Sequence, residues 1–241
     1  MKKSSGYVVY EGPSMLNGEP IVVILTLNSR NKKTGDVATL WYLPKNFSPL
    51  NSTHTGDDEA VCGKCPHRKG SCYVTLFQAP NRIHEAYLND VYPRTNSEEV
   101  SHLVSAIRFG GWGDPASAPD SVNRPFLKSK IKMGYTHQWK SKNFDKRVLD
   151  YCQASIDTEG EVGLFQLMYP HKKYFRVKAE AAKRLPWEVE CPATKKDSKV
   201  TCKDCGLCDG NKANVVIDVH GSTNVVKVYM KGLGKAYNVK K

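Results

Sequence analysis

Seven of the chain's eight cysteines fall in two short stretches, and this clustering restricts the fold more than any other feature. The first stretch, Cys62-Gly63-Lys64-Cys65-Pro66-His67-Arg68-Lys69-Gly70-Ser71-Cys72, has the spacing Cys-x2-Cys-x6-Cys. The second, Cys191 followed by Cys202, Cys205 and Cys208, reads Cys-x10-Cys-x2-Cys-x2-Cys. A chain of 241 residues can bury a core without crosslinks. Its start, Met1-Lys2-Lys3-Ser4-Ser5-Gly6-Tyr7, runs straight into Val8-Val9-Tyr10-Glu11, with no apolar signal core. The expected compartment is therefore the reducing cytoplasm, where clustered thiols hold metal rather than form disulfides. The longest apolar run, Ile21 to Leu25, is far short of the roughly 20 residues that cross a bilayer. No membrane partner is expected.

A Cys-x2-Cys turn places two thiolates on one side of a tight loop, which suits zinc or an iron-sulfur cluster alike. The successive gaps at Cys202, Cys205 and Cys208 favour a [4Fe-4S] cubane, because one curled loop can ligate three irons while Cys191 supplies the fourth ligand. Cys62, Cys65 and Cys72 provide three thiolates, which would leave one iron open to a small molecule. A zinc site completed by His67 or His54 is the alternative. Cys152 stands alone in an apolar strand and reads as a small buried hydrophobe.

The formal charge is +12, from 36 Lys and Arg against 24 Asp and Glu. That excess makes nucleic acid an eligible partner. The basic residues are scattered in short groups, however, and a solvated surface explains them equally well.

Apolar runs bounded by turn residues predict strands at 7–10, 20–27, 37–43, 104–109, 132–136, 151–156, 174–177 and 187–190. Helices are expected at 81–89, 97–103, 123–130, 144–149 and 179–184, and a C-terminal hairpin at 214–219 and 224–230. This alternation predicts one α/β domain over residues 1–241, an incomplete (βα) barrel of the TIM type or an open sheet. Its metal loops would lie at about 61–73 and 190–209. Polar residues at the ends of parallel strands mark the ligand face of such folds.

Several candidates sit at those ends. Gly110-Gly111-Trp112-Gly113-Asp114-Pro115 is a turn that either brings backbone against a ligand, with Asp114 accepting from a hydroxyl or amine, or is a plain tight turn. Thr136 and His137, within Tyr135-Thr136-His137-Gln138-Trp139, fit a binding role or a structural one. Ser155 and Asp157 end a strand, where a helix N-cap is the alternative. Arg176 lies within an apolar strand and calls for a carboxylate partner or an anionic ligand, unless it is an edge residue with its head in water. Neither a nucleotide-binding P-loop nor a dinucleotide fingerprint is present, and no Ser-His-Asp signature is recognisable.

Taken in order, Val61 to Arg68 with Cys72-Tyr73-Val74, Arg108-Phe109 with Gly110 to Pro115, Gly134 to Trp139, Ala154 to Asp157, Phe175-Arg176-Val177, and Glu190-Cys191-Pro192 with Cys202 to Cys208 form a set. The set resembles a family of cysteine-rich proteins encoded mostly by bacteriophages, over roughly residues 25–222. That family is similar to the radical S-adenosylmethionine enzymes, although the gaps between the first three cysteines differ from theirs. The resemblance implies an open-site [4Fe-4S] cluster on Cys62, Cys65 and Cys72, and S-adenosylmethionine against Gly110, Gly111 and Asp114. It also implies an auxiliary cluster on Cys191, Cys202, Cys205 and Cys208. The expected function is a redox or radical-type enzyme acting on a small or nucleic-acid-linked substrate in the host cytoplasm. The alternatives are a non-catalytic electron-transfer or redox-sensing iron-sulfur protein, and a zinc-binding nucleic-acid module.

Overall fold

The computed structural model describes residues 4–29, 31–68, 70–195 and 197–232. The strands are β1 (Gly6–Pro13), β2 (Pro20–Thr26), β3 (Ala38–Pro44), β4 (Ala106–Phe109), β5 (Ile131–Thr136), β6 (Gln153–Ile156), β7 (Tyr174–Lys178), β8 (Glu188–Glu190) and β9 (Asn214–Asp218). The α-helices are α1 (Pro49–Thr55), α2 (Glu59–Cys62), α3 (Ala79–Leu88), α4 (Ser97–Val100), α5 (Asp120–Asn123), α6 (Glu159–Met168), α7 (Cys202–Cys205) and α8 (Thr223–Lys231).

All nine strands join one mixed sheet in the order β1-β2-β3-β4-β5-β6-β7-β9-β8. β1, β2 and β3 pair antiparallel, and every pairing from β3 onward is parallel. The sheet is open, with β1 and β8 at its edges among the described residues. β2 shows why the sequence reads as it does: it lies between two neighbours, so Ile21 to Leu25 are wholly buried and neither face carries polar residues.

Pleating divides the parallel part into two faces. Ala154, Ile156 and Tyr174 face one way and pack with Trp139, Leu149, Val162 and Phe165, the last two supplied by α6. Arg108 pairs in register with Met133, Ser155 with Phe175, and Phe175 with Val215, and these residues turn to the opposite face. That second face bounds two adjoining cavities of about 150 and 270 Å³.

Several elements differ from expectation: the helices expected at 123–130 and 144–149 are mostly 3-10 turns, Arg124–Lys128 and Lys146–Asp150, and α1 and α7 were not foreseen. Residues 179–184 form turns rather than a helix. α6 was not foreseen; it starts at Thr158, whose side chain accepts from the Glu161 amide. The segment 224–230, expected as the second strand of a hairpin, is helical and belongs to α8, with Ser222 capping it by accepting from the Val225 amide. Among the described residues no helix is long and apolar enough to cross a membrane.

Candidate functional site

α2 brings Cys62 to the sheet, and the loop behind it is fixed by charge. The Arg68 guanidinium donates to both Asp58 oxygens at 2.8 and 2.7 Å and to the carbonyls of Gly63 and Gly56. Asp58 is fully buried, so this bidentate pair closes the turn that carries Cys62 and Cys65. The Cys65 amide donates to the Cys62 carbonyl, and the Cys72 amide to the His67 carbonyl. Cys62, Cys65 and Cys72 all line the first cavity.

The Gly-rich turn after β4 forms the adjoining wall. Gly110 (φ +83°) and Gly113 (φ +81°) occupy the left-handed region, and a Cβ on Gly113 would collide with the Tyr42 carbonyl. The Gly111 amide donates to the Leu40 carbonyl, so β3 holds the turn from behind. Gly110, Gly111 and Asp114 border the cavity. The Asp114 carboxylate, however, is already engaged. It accepts from Thr136 Oγ1 and the His137 amide, each at 2.8 Å, and from the Ala116 amide at 3.0 Å. Burial raises the Asp114 pKa, against the pull of these hydrogen bonds. Asp114 therefore ties the Gly-rich turn to the end of β5.

That end of β5 is a hub. Thr136 is wholly buried, and its hydroxyl serves Asp114 and the Gln138 amide rather than the cavity. Gln138 Nε2 donates to the Cys62 carbonyl at 2.9 Å, and Trp139 Nε1 to the Ser155 carbonyl at 2.8 Å. One short motif thus fixes the first cysteine loop, the Gly-rich turn and the end of β6.

Ser155 and His137 line the first cavity, and Asp157 lies beneath it. Asp157 Oδ1 lies 2.8 Å from His67 Nε2, and Oδ2 is 3.6 Å from His137 Nε2. His67 Nδ1 meets Ser71 Oγ at 2.9 Å. Burial raises the Asp157 pKa, but the neighbouring His137 and His67 outweigh it and hold the carboxyl below its usual range. Burial likewise opposes the charged form of His137, yet Cys65 and Asp157 hold its pKa well above the usual value. Ligand atoms of His67, His137 and Asp157 all lie within 4.8 Å of one another. The helix cap foreseen at Asp157 belongs to Thr158.

Arg176 faces the other side of the sheet. Its Nε and Nη2 each reach Glu188 at 2.6 Å, with both side chains fully buried. The partner is thus a carboxylate, one of the two expected.

The second cysteine group lines the larger cavity: Cys191 follows β8, and Cys202 and Cys205 bound α7, with Cys208 just beyond. A capping box between Thr201 and Asp204 starts α7, and Gly206 ends it in a left-handed conformation. The Cys191 amide is anchored on the Val216 carbonyl, and the Cys202 amide on the Lys33 carbonyl. Cys152 lies apart and fully buried.

All eight cysteines are free thiols. Burial pushes Cys62 well above the usual thiol range, with Cys65 and Cys72 adding to the effect. Burial also raises Cys72 and Cys202, and takes Cys208 up to about 12. Neighbouring thiols therefore suppress one another's ionisation, a penalty that a bound cation removes because a coordinating thiol is deprotonated outright. Among the described residues neither cysteine group is drawn together into a metal or cluster geometry; the one set of three ligating side chains that is gathered is His67, His137 and Asp157.

The sequence did not single out Arg108, Tyr135 or Tyr229. Tyr229 of α8 stacks over His67 at 6.0 Å and donates to the Val177 carbonyl at 3.0 Å, closing one side of the first cavity. Tyr135 packs on Phe175 at 4.5 Å, and the two side chains line both cavities. Only a Ser-Thr cap before an amphipathic run, at Ser222-Thr223, offered a sequence signal for α8.

Comparison of the chain with protein-family models, with curated proteins and with solved structures returns no match.

Proposed function

We propose that the chain is an iron-sulfur redox or radical-type enzyme of the kind bacteriophages encode, its sheet an incomplete barrel with an open-site [4Fe-4S] cluster at the mouth. One observation carries the reading. Seven of eight cysteines divide three and four between two adjoining cavities on one face of a parallel sheet, while the eighth lies elsewhere. Cys62, Cys65 and Cys72 would hold the first cluster, and Cys191, Cys202, Cys205 and Cys208 a second. A cluster with a vacant iron supplies electron transfer to a bound small molecule. The chain's own part is positional. Gln138 and Arg68 fix the cysteine loop, Asp114 holds the Gly-rich turn that would face S-adenosylmethionine, and Tyr229 and Phe175 exclude water.

Anaerobic purification followed by iron, zinc and sulfide analysis, with a visible spectrum, tests this. The expected result is broad visible absorption with iron and sulfide in equal amounts, partly lost in Cys62→Ala plus Cys65→Ala. Colourless protein with stoichiometric zinc would overturn it. That outcome would favour a second reading, a zinc-holding nucleic-acid module, which the +12 charge and the compact His67, His137 and Asp157 set support. Nucleic-acid binding that weakens steeply with salt would then be its own test.

A further inference from the structure

Among the described residues Arg108 is the one arginine or lysine that lines both cavities. It sits on β4 beside Met133, half-buried, with its side chain on the face that carries Tyr135 and Phe175. The more deeply buried guanidinium groups of Arg68 and Arg176 each have a carboxylate partner, Asp58 and Glu188, whereas Arg108 is only half-buried and lines the two cavities. Among the described residues no hydrogen bond or ion pair engages the Arg108 side chain. Among the described residues no carboxylate borders the second cavity, where Lys33 adds a further cation. Among the described residues the one carboxylate lining the first, Asp114, already accepts from three donors.

We propose that Arg108 binds an oxyanion, a carboxylate or phosphate, on a small molecule whose apolar or aromatic body lies against Tyr135, Phe175 and Val177. Its planar fork matches two coplanar oxygens, which a lysine ammonium does not. The aromatic wall supplies the apolar contact usual in such pockets, with a few polar groups setting orientation. The position between the two cysteine loops makes this anion the handle by which a substrate is held within reach of either. The proposal goes beyond the metal reading and holds for iron-sulfur or zinc alike.

The test uses the protein as purified, with benzoate, phenyl phosphate and neutral benzyl alcohol as probes, read by ligand-observed saturation-transfer NMR. One or both anions should bind wild type, and their ratio separates carboxylate from phosphate. Arg108→Met should weaken anion binding by about tenfold or more, the worth of a charge-assisted hydrogen bond, and leave benzyl alcohol unchanged. Arg108→Lys, which keeps the charge, should fall between the two and carries the comparison if Arg108→Met does not fold. Equal binding of benzyl alcohol and the anions, or no binding of any probe, would overturn the proposal. So would a variant that loses metal but binds anions like wild type, which would make Arg108 a counter-charge to Cys202, whose ionisation it favours. Metal and sulfide measured on the same samples keep this failure distinct from failure of the iron-sulfur reading.

Discussion

Removing Arg176 tests whether this residue is a structural clamp. Its guanidinium meets Glu188 through two bonds of 2.6 Å and also donates to the Lys183 carbonyl at 3.2 Å. Glu188 in turn accepts from Tyr174 Oη at 3.0 Å and the Leu185 amide at 2.9 Å. Arg176→Met leaves a buried carboxylate facing two donors without its counter-charge, and breaking such a pair costs about 3–5 kcal/mol. Against a total stability of about 5–15 kcal/mol, that is a large fraction. For a chain of this size it corresponds to roughly 6–20 °C in Tm, at about 2–4 °C per kcal/mol. Arg176→Met plus Glu188→Met removes both charges and strands only neutral groups, the Tyr174 and Leu185 donors and the Lys183 carbonyl, so the double variant should be no less stable than either single one. Urea and thermal unfolding of the four proteins give the coupling. Because β8 leads directly into Cys191, the proposed metal reading adds that the single variants retain less metal on the second cysteine group. A single-variant loss below about 1 kcal/mol would refute the clamp, since a buried charge left unpaired costs more than that.

Other outcomes follow from the same geometry. Asp114→Asn replaces one acceptor oxygen by a donor amide facing Thr136, Ala116 or the His137 amide, and should cost about 1–3 kcal/mol in chemical denaturation. His84 donates through Nε2 to the Lys45 carbonyl at 3.2 Å while its buried Nδ1 has no partner, and burial lowers its pKa below 6.5. Its contribution is therefore complete above pH 6.5 and is lost as pH falls toward the folded value. His137, with its raised pKa, loses its contribution above 6.5 instead, so it does not mask this window. His84→Gln should flatten the decline in urea midpoint on acidification below that point. His220, lowered by burial, would leave a residual slope. Cys152→Ala should change stability but not metal content, whereas Cys202→Ala should lower metal content, as elemental analysis would show. Gly113→Ala, strained at φ +81° and pressed on the Tyr42 carbonyl, should lower the urea midpoint without altering the cysteine spacing.

The strands were readable because strands covered on both faces carry continuous apolar runs, as in Ile21 to Leu25 and Val215 to Ile217. Helices were less so, for three separate reasons. Val225, Val226 and Val228 carry β-propensity, yet burial of Tyr229 and the Ser222 cap decide for helix. Gly160 and Gly163 depress helix propensity in α6, yet Val162 and Phe165 find a core to fill. Ala179 to Arg184 has strong intrinsic propensity but is short and precedes Pro186. Nucleation is costly over so few residues, and Arg176 claims the Lys183 carbonyl.

The candidate site divides along a similar line. Cysteine spacing is local, so the two donor groups could be read directly. The network beneath them is not local: His67 and Asp157 stand 90 residues apart, Thr136 and Asp114 22, and Gln138 and Cys62 76. Residue type alone therefore left open which way several polar groups point. Asp114 and Thr136 have the chemistry of ligand-binding residues, but each spends its hydrogen-bonding capacity on the other. Arg176 has the charge of an anion site, but the pleat turns it toward Glu188. Arg108, one strand position from the buried Ile107 and Phe109, carries the same side chain and turns to the cavities, with no hydrogen-bond or ion-pair partner among the described residues. In a parallel sheet the identity of a charged residue matters less than its parity along the strand. Parity sends Arg176 into the core as a clamp and leaves Arg108 to meet whatever enters between the cysteine loops.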